Sequence, residues 1–179
     1  MSEARERAIF ADRDGTVIED VGYISDPDLV RLLPGAAAGL AALRDLGFRL
    51  VVVSNQSGIA RKLITDEQAR AVHVRFVSEL ERNGVRLDAV RYCPHGPDAG
   101  CPCRKPLPGL LVDAAESLGL DLARSFMVGD KPSDIEAGRR AGCTTVLVAA
   151  ENGRESAADH VVPDWAGVVR LVRSARQAA

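Results

Sequence analysis

The strongest constraint on this chain is an alternation. Short apolar runs rich in β-branched residues take turns with longer stretches whose apolar residues recur at helical spacing. Strands are expected at Ile9 to Ala11, Phe48 to Val53, Ala89 to Tyr92, Phe126 to Val128 and Thr144 to Val148. Helices are expected at about Gly35 to Leu46, Asp66 to Asn83, Pro108 to Leu118, Asp134 to Ala141 and Asp164 to Ala175. Strands that are apolar on both sides and separated by single helices belong to a mostly parallel sheet with helices on both faces, an α/β fold. Thr65-Asp66-Glu67-Gln68 and Ser133-Asp134-Ile135-Glu136 fit capping boxes, and Gly47, Gly84 and Gly142 stand where left-handed residues end helices.

The 179 residues fit one domain, 1–179, with a core over about 8–150 and a C-terminal helix at about 163–176. No repeat, low-complexity tract or linker divides them, and the Ala/Arg-rich tail after Val172 is expected to fray. A net charge of -2 without a concentrated basic surface argues against nucleic acid as a partner. No run approaches a membrane span, and the apolar stretch behind the mixed-charge N-terminus stops at Asp12, too early for a signal sequence. These features predict a cytoplasmic monomer acting on a small molecule. Its thiols should be reduced there, so three clustered cysteines need a purpose other than disulfides.

Open parallel sheets bind ligands beyond the carboxyl ends of their strands. In this chain those ends carry Asp12, Ser54-Asn55, Cys93 and Gly129-Asp130. Asp12-Arg13-Asp14-Gly15-Thr16 follows the first apolar run, and alternation in extended backbone would aim both aspartates one way. A solvated strand-end turn is the plain alternative; an EF-hand loop is a poor match, because the glycine is fourth and a strand precedes it.

Phosphoryl transfer needs a nucleophile, a proton carrier, a divalent metal and fixed donors. Asp12 could attack phosphorus, and Asp14 could protonate the leaving oxygen and then deprotonate water. Asp130 could join Asp12 on Mg²⁺, with Asp134 either assisting through water or stabilising its helix N-terminus. Ser54 and the amides of Asn55, Gln56 and Ser57 could hold phosphate oxygens, and Lys105 could supply a point charge. Read singly, Ser54 could be a helix cap and Lys105 a solvated cation.

Cys93-Pro94-His95 followed by Cys101-Pro102-Cys103 matches a closed Cys₃His site for structural Zn²⁺, against the alternative of fortuitous free thiols. Such a site would fix the loop that delivers Arg104 and Lys105. Cys143 reads as a small core residue.

In chain order these segments resemble the haloacid dehalogenase superfamily of phosphohydrolases, in its branch of heptose 1,7-bisphosphate and histidinol-phosphate phosphatases. Asp12-Arg13-Asp14-Gly15-Thr16 looks like the first motif and Ser54-Asn55-Gln56-Ser57-Gly58-Ile59-Ala60-Arg61 the second. Cys103-Arg104-Lys105-Pro106 looks like the third and Gly129-Asp130-Lys131-Pro132-Ser133-Asp134 the fourth. The resemblance implies a Rossmann-like fold without a separate cap domain and an aspartyl-phosphate on Asp12. It implies Mg²⁺ at Asp12, Asp130 and the Asp14 carbonyl, with Lys131 adjacent. It also implies sugar-bisphosphate contacts from Asp20, Val21, Gly22, Tyr23 and Arg104. Gln56-Ser57-Gly58-Ile59-Ala60 and Gly129-Asp130-Lys131 favour the heptose enzymes over the histidinol-phosphate group. Ala11 and the short interval from His95 to Cys101 depart from the pattern. A zinc-stabilised module that binds phosphorylated metabolites without catalysis is the reading from another class.

Overall fold

The computed structural model describes residues 5–149 and 157–177. Its six strands are β1 (Ala8–Ala11), β2 (Arg49–Asn55), β3 (Ala89–Cys93), β4 (Phe126–Gly129), β5 (Thr144–Val148) and β6 (His160–Val162). They form one sheet in the order β3-β2-β1-β4-β5-β6, parallel throughout. The helices are α1 (Ala36–Asp45), α2 (Asp66–Arg82), α3 (Gly109–Leu118), α4 (Pro132–Ala141) and α5 (Trp165–Gln177). The strand order reverses direction between β1 and β4, so the crevice where such folds bind ligands opens beyond Ala11 and Gly129.

Alternation along β1 divides the core. Ile9 and Ala11 join Leu50 and Val52 under α1, α2 and α5, through Leu40, Leu43, Phe76, Leu80, Trp165 and Val168. Ala8 and Phe10 join Val51, Val53 and Met127 on the other face, under Leu111 and Ala114 of α3 and Ala137 of α4. Both faces are covered, and the central strands are apolar on both because of it.

The expected elements are present, with ends shifted by at most two residues. Thr65 closes a reciprocal capping box with Gln68, and Gly47, Gly84 and Gly142 have φ of 84°, 76° and 83°. The expected box at Ser133 is absent, because α4 begins earlier: Pro132, with φ already suited to a helix, is its first residue. Asp134 instead accepts the Lys131 amide at 3.1 Å. The sequence reading missed β6, a three-residue, mostly exposed edge strand with too few residues to show a period. Helix α5 continues to Gln177, beyond the expected fraying point, and residues 178–179 lie outside the described set. Among the described residues no helix is long and apolar enough to cross a membrane.

One long-range bond ties the last helix to the first loop. The buried Trp165 indole donates to the Thr16 carbonyl at 2.8 Å. Replacing Trp165 by Phe keeps most of the packing but orphans that carbonyl, at an expected cost of about 2 kcal/mol. Urea unfolding measures it; a loss under about 0.5 kcal/mol would mean that the bond contributes nothing.

Candidate active site

The site grows out of the turn after β1. Asp12 follows the strand directly, and its amide donates to the Val128 carbonyl at 3.0 Å, fastening the turn to β4. Gly15 has φ of 91°, and a Cβ there would lie 2.4 Å from an Asp130 carboxylate oxygen. Any other residue would push the two loops apart. Thr16 Oγ1 donates to Asp130 Oδ1 at 2.9 Å. Gly129 is equally cramped, since its Cβ would overlap the Asp134 side chain.

One carboxylate oxygen each from Asp12, Asp130 and Asp134 lies within 4.8 Å of the others. Among these stands Lys105, 3% exposed, whose Nζ donates to Asp12 Oδ1 at 2.5 Å and the Val53 carbonyl at 2.8 Å and pairs with Asp134 Oδ1 at 2.8 Å. It is not the solvated cation of the plain reading. Burial opposes its charge, but the Asp12 and Asp134 carboxylates outweigh that and hold its pKa above the ordinary value. Burial pushes the Asp12 carboxyl up to about 7, against the pull of Lys105 and with help from Asp134 and Asp14. With two carboxylates in contact, the lysine keeps its proton. Burial raises the Asp130 carboxyl as well. Three clustered acids, two of them paired with one ammonium, leave surplus negative charge on hard oxygen donors, which suits a divalent cation such as Mg²⁺.

Asp14 is placed otherwise than by strand alternation. Strand β1 stops at Ala11, and the Arg13 side chain turns back onto its neighbour. Arg13 Nε and Nη2 grip Asp14 Oδ2 and Oδ1 at 3.0 and 3.1 Å. Gln56 Nε2 donates to Asp14 Oδ2 at 2.9 Å and to Ser54 Oγ at 2.8 Å, and Ser54 Oγ lies 3.3 Å from the same Asp14 oxygen. Arg13 is buried and lies over Tyr92, whose hydroxyl meets His73. The sequence reading passed over Arg13. Its signal was a lone cation between two acids at the end of a buried strand.

The second motif therefore orients side chains more than it offers amides. The Gln56 amide is consumed by the Cys93 carbonyl at 2.7 Å, so it is not a phosphate donor. Ser54 belongs to β2 and caps no helix. Asn55 pairs with the Lys105 backbone in both directions, each bond 3.0 Å, as an added strand would. Ser57 sits in the following turn.

A cleft of about 60 Å³ is lined by Asp12, Asp14, Ser54, Asn55, Lys105, Lys131, Ser133 and Asp134. A space this small is on the scale of a phosphoryl group, and it opens to a rim. On that rim Lys131 Nζ meets Asp20 Oδ2 at 2.8 Å, and this bond holds the Asp20 carboxyl below its ordinary value. Asp20 also accepts the Gly22 amide at 3.0 Å. Val21 is 48% exposed and Tyr23 46%; Tyr23 packs on Gly58, with Arg61 above its ring.

The thiol cluster is assembled. Cys93 Sγ lies 3.5 Å from His95 Nδ1, 3.6 Å from Cys101 Sγ and 3.2 Å from Cys103 Sγ, and Cys103 Sγ lies 3.3 Å from His95 Nδ1 and 3.5 Å from Cys101 Sγ. A tetrahedron of ~2.3 Å metal–sulfur bonds has edges of about 3.8 Å, so the donor set fits zinc in chemistry and scale. Arg104 donates to the His95 carbonyl at 3.2 Å and stays on this loop, while Lys105 enters the cleft. Cys143 is buried elsewhere, and burial pushes its thiol up to about 12.

Known proteins resemble this chain. A HAD-hydrolase-like family model matches residues 102–174. A relative from Yersinia pestis, named D-glycero-beta-D-manno-heptose-1,7-bisphosphate 7-phosphatase, is 40% identical over 165 residues, 88% of each chain. The protein of that name in Escherichia coli K12 is 38% identical over 186 residues, 96% of each. A crystal structure of D,D-heptose 1,7-bisphosphate phosphatase from B. bronchiseptica, complexed with magnesium and phosphate, superposes with a TM-score of 0.85. It is 37% identical and covers 94% of this chain and 99% of its own. Strand order, crevice and relatives agree, and the chain belongs to the haloacid dehalogenase (HAD)-like hydrolases, in the family of heptose-1,7-bisphosphate 7-phosphatases.

Proposed function

We propose that this chain hydrolyses the C7 phosphate of D-glycero-D-manno-heptose 1,7-bisphosphate through an aspartyl-phosphate on Asp12. The observation that carries this reading is the meeting of Asp12, Asp130 and Asp134 at the crevice between β1 and β4, with Lys105 bonded to the first and last of them. Asp12 attacks phosphorus while the bond to the sugar oxygen breaks, and Lys105 and Ser54 face the phosphoryl oxygens. Asp14, held by Arg13, Gln56 and Ser54, gives its proton to the departing oxygen. It then takes one from water as the water attacks the phosphoenzyme, returning Asp12 and free phosphate. Asp12, Asp130 and the Asp14 carbonyl would hold Mg²⁺, with Asp134 and Lys131 beside them; when bound, it neutralises phosphoryl oxygens. The rim segment Asp20, Val21, Gly22 and Tyr23, together with Arg104, would meet the sugar. We further assign a single-domain, monomeric, cytoplasmic enzyme; light scattering checks the monomer.

Phosphate release from the heptose bisphosphate, histidinol phosphate and common hexose phosphates tests the reading. The expected kcat/KM favours the heptose bisphosphate by about a hundredfold, since a rim that hydrogen-bonds one polar leaving group leaves its partners unmatched with another. Equal or higher kcat/KM on histidinol phosphate would overturn it.

Cys93, His95, Cys101 and Cys103 would hold a structural zinc. Stripping it at constant Mg²⁺ should lower the melting temperature and the activity together, because the same loop carries Lys105. Zinc should restore both. Metal-free protein purified without chelator, yet fully active, would refute the assignment.

A further inference from the structure

At the opposite end of the sheet lies a cavity of about 340 Å³ that the phosphatase reading does not use. Its walls come from the segments that lead into β1, β2, β4 and β5 and from the end of α5. Strand β1 has four residues, so roughly 13 Å of strand separates this cavity from the catalytic crevice.

Three guanidinium groups surround it: Arg7, Arg124 and Arg176. Among the described residues none of them pairs with a carboxylate, whereas Arg49, a neighbour of Arg7 in the sheet, pairs with both Glu6 and Asp88. Arg7 and Arg176 each donate one bond to the Leu46 carbonyl, at 2.9 and 3.3 Å, which uses a fraction of their donors. Burial, then the charges of Arg176 and Arg124, lower the Arg7 pKa. An anion placed among them would relieve that mutual repulsion. The floor is aromatic: Arg7 lies 4.4 Å over the Phe48 ring, and Phe48 meets Phe126 edge to face at 5.9 Å. A volume near the low end of small-ligand pockets, with an apolar floor and convergent cations, has the composition of a binding site.

We propose that this cavity is a second anion site, in which Arg7, Arg124 and Arg176 hold the phosphate of a small phosphorylated ligand over a floor of Phe48 and Phe126. Arginine suits the task because its planar donor fork matches phosphate oxygens in pairs. The apolar floor selects a ligand with a ring or hydrocarbon portion over inorganic phosphate alone.

Phenylphosphonate is the probe, since it carries a ring and a phosphorus dianion but no ester to hydrolyse. In a residue-resolved NMR titration it should shift the amides of Arg7, Phe48, Thr144 and Ala175 saturably, with a Kd separate from that of any shift at Gly15, Asn55 and Asp130. Combining Arg124→Gln with Arg176→Gln should weaken the first Kd roughly a hundredfold, by removing two charge-assisted contacts. Shifts at the catalytic end and phosphatase activity should stay as in the parent. Methylphosphonate should bind this end more weakly than phenylphosphonate. Absence of saturable shifts up to about 10 mM, or a Kd indifferent to the double substitution, would overturn the site. Equal binding of the two phosphonates would overturn the role given to the aromatic floor.

Discussion

Asp12→Asn is expected to lower kcat by about ten-thousandfold or more, the scale seen when a covalent nucleophile is removed and only binding remains. The change is isosteric, and the Lys105 ammonium still has the Asp134 carboxylate and the Val53 carbonyl to bond. The fold should survive, and so should the metal content of the cysteine loop. Single-turnover assays with radiolabelled bisphosphate sharpen the test: the parent enzyme should trap label on protein after acid quench, and the variant should trap none. Residual turnover above about 1% of the parent would remove Asp12 from the nucleophile's place and leave the crevice with a different chemistry.

The second large effect belongs to Lys105→Met. This substitution leaves Asp12 and Asp134 facing each other in a nearly dry crevice without their shared cation. Removing one partner of a buried ion pair costs about 3–5 kcal/mol, because the remaining charge is uncompensated. Urea unfolding in the absence of divalent metal should show that loss at pH 8. The pH dependence follows from linkage. Asp12 already has a folded pKa of about 7, against 3.8 for an ordinary Asp carboxyl, so its folded form binds more protons between those values. Stability is therefore gained as pH falls through about 7 and lost as it rises. In the variant, with no ammonium to hold Asp12 ionised, the penalty should shrink on lowering the pH from 8 to 5. A loss under about 1 kcal/mol, flat across this range, would show that Lys105 does not bind the acids together in solution.

Much of this architecture could be read from residue order because burial on both faces of a parallel sheet forces long apolar strands, and their polar ends then stand out. That logic places Asp12, Ser54, Cys93 and Asp130 at one rim from residue order alone. It located them less well in three dimensions. Alternation gives Asp14 the right neighbourhood for an incomplete reason, since the strand ends three residues before it and Arg13 sets the carboxylate instead. The enclosure of Lys105 was invisible because burial of a loop cation depends on partners far along the chain, here Asp12 and Asp134. The commitment of the Gln56 amide to Cys93 was invisible too, since local sequence does not say which strand neighbours β2. Strand β6 was too short for any period to register.

The indole bond between Trp165 and Thr16 joins positions 149 residues apart. During synthesis on the ribosome, a nascent chain that already contains every acidic group of the crevice still lacks the donor that fastens its opening turn. The opening turn gains this brace only once α5 has emerged and docked, so fragments that stop short of Trp165 would carry those acidic groups without it.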